Sequence, residues 1–327
     1  MIRHPRFDEA LALHRRVPVV DGHADSILAV LDGQRTLVER AEIGQLDFPR
    51  AREGGLAATV QTAWPAPAYY PVAASRVFAM VDAILAEIEA AASSARLVTT
   101  AAEIRTCHRE GRLGVLLNVE GAEALQAELG VLRALHRLGV RLLQPVWNHR
   151  NAAADGVMED GDGGLSNFGR ALVREMNRLG MAVDASHLTR RGFFDLLELS
   201  EQPILFSHGN CRALHEHRRN LADDQIRALA DRGGVFGISV VASFMADGEC
   251  DVAIVADHVE HAIKVAGPAH VAYGSDFDGT DRVPSGLESV DLLPNLTAEL
   301  LARGHGEAEL AGILGGNYLR VFEAVFG

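Results

Sequence analysis

The stretch Pro18-Val-Val-Asp-Gly-His-Ala-Asp25 decides how the rest of the chain is read. Apolar residues run into Asp21-Gly22, and an imidazole and a carboxylate follow two positions apart, at His23 and Asp25. In extended chain, residues i and i+2 point the same way. A strand ending here delivers both groups to one point, as two ligands of one metal ion. The plainer reading makes Asp21 a turn residue, His23 a polar strand end and Asp25 the N-cap of the next helix. What separates the two is whether other strands end in the same way.

Working outward, apolar segments at 17–21, 56–63, 113–119, 141–146, 181–184, 203–206, 235–240 and 271–274 read as eight short strands. Helical patterns lie between most of them. Over 75–92, for example, Val77, Met80, Val81, Ile84, Leu85 and Ile88 recur at helical spacing. The segment 33–55 reads as a charged, loop-rich insertion, and 152–164 as a loop rich in Gly and Asp. Alternation of strand and helix predicts an α/β fold, a single (β/α)8 TIM barrel with additional C-terminal helices, spanning 1–327 as one domain. A doubly wound open sheet is the alternative, but no Gly-rich phosphate-binding turn follows strand one.

In such a barrel the reactive groups sit at the C-terminal strand ends. His23 and Asp25 follow strand one, Glu120 strand three, His187 strand five, His208 strand six and Asp276 strand eight. Each alone has an ordinary explanation as a turn carboxylate or a helix-entry histidine. Six ligand-type residues on one rim point to a metal site. The remaining histidines fall in helices, termini and connections and read as surface or structural groups. A single catalytic zinc takes about three protein ligands, so six predict two ions, and a carboxylate is the natural bridge. Glu120, the one glutamate of the set, is the expected bridge. Imidazole and carboxylate without thiolate fit Zn2+, with manganese or cobalt as substitutes.

Composition narrows the partners. A formal net charge of −13 argues against nucleic acid or an anionic membrane surface. Cys107, Cys211 and Cys250 are too few and too scattered for a disulfide framework or a thiolate metal site, so a reducing cytoplasm is expected. The first residues are charged, unlike a secretory signal, and no apolar run reaches the length of a membrane span.

At these residues the sequence resembles the renal (membrane) dipeptidase family of zinc-dependent dipeptidases, amidohydrolase-type metal barrels. The resemblance covers nearly the whole chain. It is carried by Asp21-Gly-His-Ala-Asp25, Val119-Glu-Gly121, Val183-Asp-Ala-Ser-His187, Phe206-Ser-His208, Arg218-Arg-Asn220 and Gly274-Ser-Asp-Phe-Asp-Gly279. It implies a barrel with two zinc ions, hydrolysis of dipeptides by a hydroxide held between the ions, and a homodimer. It implies that one zinc takes His23, Asp25, Glu120 and Asp276, and the other Glu120, His187 and His208. It also implies that Arg219 holds the substrate's C-terminal carboxylate and that Asp276 moves the proton from water to the leaving amine. A guanidinium grips carboxylates in a bidentate fashion; the plain alternative for Arg219 is surface solvation beside Arg212 and Arg218.

One position departs from the family. A histidine expected after strand four falls on Trp147. If the chain stays extended there, His149 points to the same side and is the expected oxyanion donor, with Trp147 and Asn148 as substrate contacts. Competing functions are a binuclear barrel acting on another amide such as an N-acyl amino acid, on a lactone or on a phosphoester, and a non-catalytic metal-binding homologue.

Overall fold

The computed structural model describes residues 3–327. Nine parallel strands run through it: β1 (Val19–Ala24), β2 (Leu56–Ala63), β3 (Ala95–Leu97), β4 (Leu113–Glu120), β5 (Val140–Gln144), β6 (Ala182–Val183), β7 (Leu205–Gly209), β8 (Val235–Ile238) and β9 (Val271–Tyr273). Hydrogen bonding orders them β1-β2-β4-β5-β6 in one sheet and β7-β8-β9 in a second. Two isolated parallel bridges join the sheets, Asp184 with Leu205 and Ala24 with Phe277. At these seams the Ala185 N–H donates to Leu205 O at 2.7 Å and the Asp25 N–H to Phe277 O at 2.8 Å. The ring closes as an eight-stranded α/β barrel of the expected kind.

The ninth strand, β3, and the helix Ala101–Glu110 were not foreseen. Register explains β3. The first residue of β5, Val140, pairs with Leu117, which leaves the start of β4 open on that side. There β3 pairs instead, with Ala95 opposite Leu113.

β2 and β4 are buried along their whole length, because helices cover the outer face and side chains fill the interior. The C-terminal helix Asn317–Phe326 closes the barrel floor. Tyr318, fully buried, donates its hydroxyl to Ser207 O at 3.1 Å. Gly237 in β8 and Gly274 just after β9 make this possible: a Cβ on either would overlap the Ser207 carbonyl. With the floor plugged, the opposite rim, where the strands end, is the open face.

Candidate active site

Five strand ends deliver the expected ligands to that rim. On β1, His23 and Asp25 converge, with His23 Nε2 3.5 Å from Asp25 Oδ2. Asp25 does not cap a helix; the N-cap position before Ile27–Leu31 is Ser26. Asp21, two residues before His23, is fully buried, and its carboxylate accepts the Ser275 N–H at 2.8 Å and the Ser275 hydroxyl at 2.6 Å. Glu120 ends β4, with Oε2 3.6 Å from His23 Nε2 and Oε1 2.7 Å from His187 Nε2. His208, within β7, has Nε2 3.0 Å from His187 Nε2 and 3.8 Å from Glu120 Oε1. Asp276 follows β9, with Oδ1 4.0 Å from His23 Nε2. His187 and Asp276 both have positive φ, 71° and 62°, a region that residues with a Cβ enter only when surroundings hold them there.

The second ring nitrogens show why these imidazoles face inward. His187 Nδ1–H donates to Asn148 Oδ1 at 2.8 Å. His208 Nδ1 lies 2.8 Å from the Ser207 hydroxyl, and His23 Nδ1 3.4 Å from the Thr62 hydroxyl. Each Nδ1 thus has an oxygen partner, and each Nε2 is turned to the centre, the usual arrangement around ligating histidines.

The charges are those of a cation site. Burial pushes Asp25 up to about 7, opposed by His23 and reinforced by Glu120 and Asp276. Burial likewise raises Asp276. Burial would raise Glu120 too, but His23 and His187 outweigh it and hold the carboxyl well below its usual range. Burial, and then the charge of Arg219, brings His187 down to about 4. His208 is pushed well below its ordinary value by burial and by His23.

A metal fits these residues. His23 Nε2 and Asp25 Oδ1 are buried without a hydrogen-bond partner, a costly state that a cation relieves. Three sets have ligand atoms within 4.8 Å of one another: His23, Asp25 and Glu120; Glu120, His187 and His208; His23, His208 and Asp276. Glu120 belongs to two of them, and the donors are all imidazole nitrogen and carboxylate oxygen.

The rim encloses a pocket of about 320 Å³ walled by Trp64, Trp147, Asn148, Met158, Arg219 and Phe244 beside the ligands. A groove of about 630 Å³ next to Cys250 and Arg282 is larger but contains none of the six ligands. Arg219 reaches the pocket because its loop is pinned: Leu221 N–H donates to Asn210 O, and Asn220 Nδ2 to Phe244 O at 2.7 Å. Its guanidinium is buried, donating to His208 O at 3.3 Å and lying 3.1 Å from His187 Nε2. Among the described residues no carboxylate lies within 4 Å of it. Arg218, one position earlier, is exposed near Asp160.

His149 is not brought into this group. The chain bends at 147–149 instead of staying extended. The His149 side chain is 57% exposed and faces Glu159, 3.6 Å away. The expectation that it points into the site beside Trp147 is therefore corrected. Trp147 and Asn148 do line the pocket. Trp64, whose ring packs 4.9 Å from that of Trp147, was missed, although its place directly after β2 is the signal that found the others.

Barrel and rim together define a metal-dependent hydrolase. The chain belongs to the membrane dipeptidase family (peptidase family M19), whose model matches residues 7–326. Dipeptidase verJ of Clonostachys rogersoniana is 34% identical over 336 residues, covering 97% of this chain and 86% of that protein. Dipeptidase 3 of Mus musculus is 33% identical over 334 residues, covering 97% of this chain and 66% of its own. A crystal structure of a metallopeptidase from Rhodobacter sphaeroides, liganded with a phosphinate mimic of the dipeptide L-Ala-D-Ala, superposes with a TM-score of 0.89 at 32% identity. That match covers 94% of this chain and 99% of the other. This chain is accordingly a metal-dependent dipeptidase. Among the described residues no helix is long and apolar enough to cross a membrane.

Proposed function

We propose that the protein hydrolyses dipeptides bearing a free C-terminal carboxylate, using two zinc ions held by His23, Asp25, Glu120, His187, His208 and Asp276, with Glu120 shared. The observation that carries the substrate class is Arg219: a buried guanidinium with no carboxylate partner, on the wall of a pocket that also holds the ligand cluster. A buried, unpaired charge is costly, and a substrate carboxylate satisfies it. The pocket, about 320 Å³, suits a ligand of dipeptide size.

The cations supply Lewis-acid polarisation of the scissile carbonyl and a lowered pKa for the attacking water. The chain's own residues do the rest. Arg219 holds the terminal carboxylate and so sets the distance from the pocket wall to the peptide bond. Asp276 accepts the proton of the attacking water and passes it to the leaving amine, a general acid–base role. Trp64 and Trp147 form one wall of the pocket. The relative crystallised with a phosphinate dipeptide mimic supports this substrate class. The free cysteines suit a reducing compartment, and we place the enzyme in the cytoplasm as a homodimer, the latter on family resemblance.

The test is a library assay on zinc-loaded protein with L,L and L,D dipeptides, dipeptide amides and N-acyl amino acids. Turnover of free dipeptides above amides and N-acyl amino acids is expected. Preference for N-acyl amino acids would favour the other amidohydrolase reading.

A further inference from the structure

The turn 275–279 carries Asp276 and contains two non-glycine residues in the left-handed region, Asp276 and Asp278, at φ 62° and 65°. It packs directly on the ligands, since a Cβ on Gly279 would overlap both Asp276 Oδ1 and Asp25 Oδ2. Upstream the turn is fastened to β1 through the bonds from Ser275 to Asp21 and from Asp25 to Phe277.

Downstream the fastening comes from residues 35–46, part of the segment that reads in the sequence as a loop-rich insertion. Arg35 Nη2 lies 2.6 Å from Asp278 Oδ2, and its side chain is 2% exposed. The Gln45 N–H donates to Asp278 Oδ1 at 2.7 Å and the Leu46 N–H to Oδ2 at 3.3 Å. In return the Asp278 N–H donates to Gln45 Oε1 at 2.6 Å, and Gln45 Nε2 to Thr280 O at 2.8 Å. Arg35 passes over Gly44, φ 75°, where any Cβ would overlap the guanidinium. Both Asp278 oxygens are thus engaged by donors of this segment, although Asp278 lines the pocket. A buried ion pair contributes little to net stability by comparison with apolar packing, but it is well suited to holding one geometry.

We propose that Arg35 and Gln45 are positioning residues for the metal site: by fastening Asp278 they fix the turn 275–279, and with it the Asp276 carboxylate relative to His23 and Asp25. The proposal rests on the two-ion reading given above. Groups that orient a ligand without touching the metal commonly carry an appreciable share of its affinity.

The experiment compares wild type with Arg35→Ala, Arg35→Lys and Gln45→Ala. Zn2+ affinity of the metal-free proteins is measured by chelator competition, beside their metal-free Tm and the kcat and KM of the loaded enzymes. Arg35→Ala and Gln45→Ala are expected to weaken one Zn2+ equivalent about tenfold to a hundredfold and to leave the other unchanged. Metal-free Tm should stay near wild type, and kcat should fall with KM within about twofold. Arg35→Lys, which keeps the charge, should recover part of the affinity. Unchanged zinc binding in both alanine variants overturns the proposal. So does equal weakening of both equivalents with a lowered metal-free Tm, which marks general structural support. If Arg35→Ala does not fold, Gln45→Ala, which leaves the ion pair in place, decides. If wild type itself binds a single zinc, the two-ion reading fails; the clamp then stands or falls on the affinity of that one equivalent.

Discussion

Nη2 of Arg219 lies 3.1 Å from Nε2 of His187, and the same Nε2 lies 2.7 Å from Oε1 of Glu120. One imidazole edge therefore joins the Arg219 guanidinium to the ligand-type cluster. One residue of extended chain spans about 3.3–3.6 Å, so under the proposed function a substrate held on Arg219 by its terminal carboxylate would present its first peptide bond to that cluster.

Removing that anchor tests the arrangement. Arg219→Ala should lower kcat/KM for free dipeptides by an amount equivalent to about 2–4 kcal/mol. Dipeptide amides, which lack the carboxylate, should lose little. Equal losses on both substrates in steady-state assays would remove Arg219 from carboxylate recognition.

The buried, unpartnered His23 Nε2 and Asp25 Oδ1, with the crowded carboxylates of Asp25, Glu120 and Asp276, make the metal-free site a source of instability. Chelation should lower Tm, and zinc at 100 times its Kd should restore about 2.7 kcal/mol per independent site. Scanning calorimetry with and without chelator reads this directly; an unchanged Tm contradicts a metal bound at these residues.

His149 and Asn148 separate cleanly. The exposed His149 should be dispensable, and His149→Ala is expected to keep kcat within about twofold. Asn148 accepts the His187 Nδ1–H, so Asn148→Ala should weaken zinc binding about tenfold or more. A collapse of kcat in His149→Ala with normal metal content would return His149 to the reaction.

Stability should fall in acid partly through His14. This residue is fully buried, donates Nδ1–H to Gly54 O at 2.7 Å and accepts the Thr297 hydroxyl at Nε2 at 2.8 Å. Burial lowers its pKa from 6.5 to about 4. Well above pH 6.5 both folded and unfolded forms are neutral, and the contribution is complete. As pH falls toward 4 the unfolded chain takes up a proton that the folded form refuses, so stability is lost. Between pH 7 and 5 this loss is on the order of 2 kcal/mol. Urea unfolding of His14→Gln should show a correspondingly smaller drop over that range; an identical drop would assign the acid sensitivity elsewhere.

The eight barrel strands and the six ligand-type residues could be read from the chain alone because both are local signals. Apolar runs of strand length end at His23, Glu120, His187, His208 and Asp276, and in a barrel those ends share one rim. Even the convergence of His23 and Asp25 follows from two-residue periodicity. Beyond the strand ends the periodicity stops, and side-chain direction passes to hydrogen bonds between residues far apart in the chain. The bend at 147–149 turned His149 out toward Glu159 while Asn148 turned in to His187. Bonds from Asn220 and Leu221 placed Arg219, and not its neighbour Arg218, against His187. Contacts across more than 200 residues brought Arg35 and Gln45 onto Asp278. None of these has a sequence period, because each depends on where another segment of the chain has already packed.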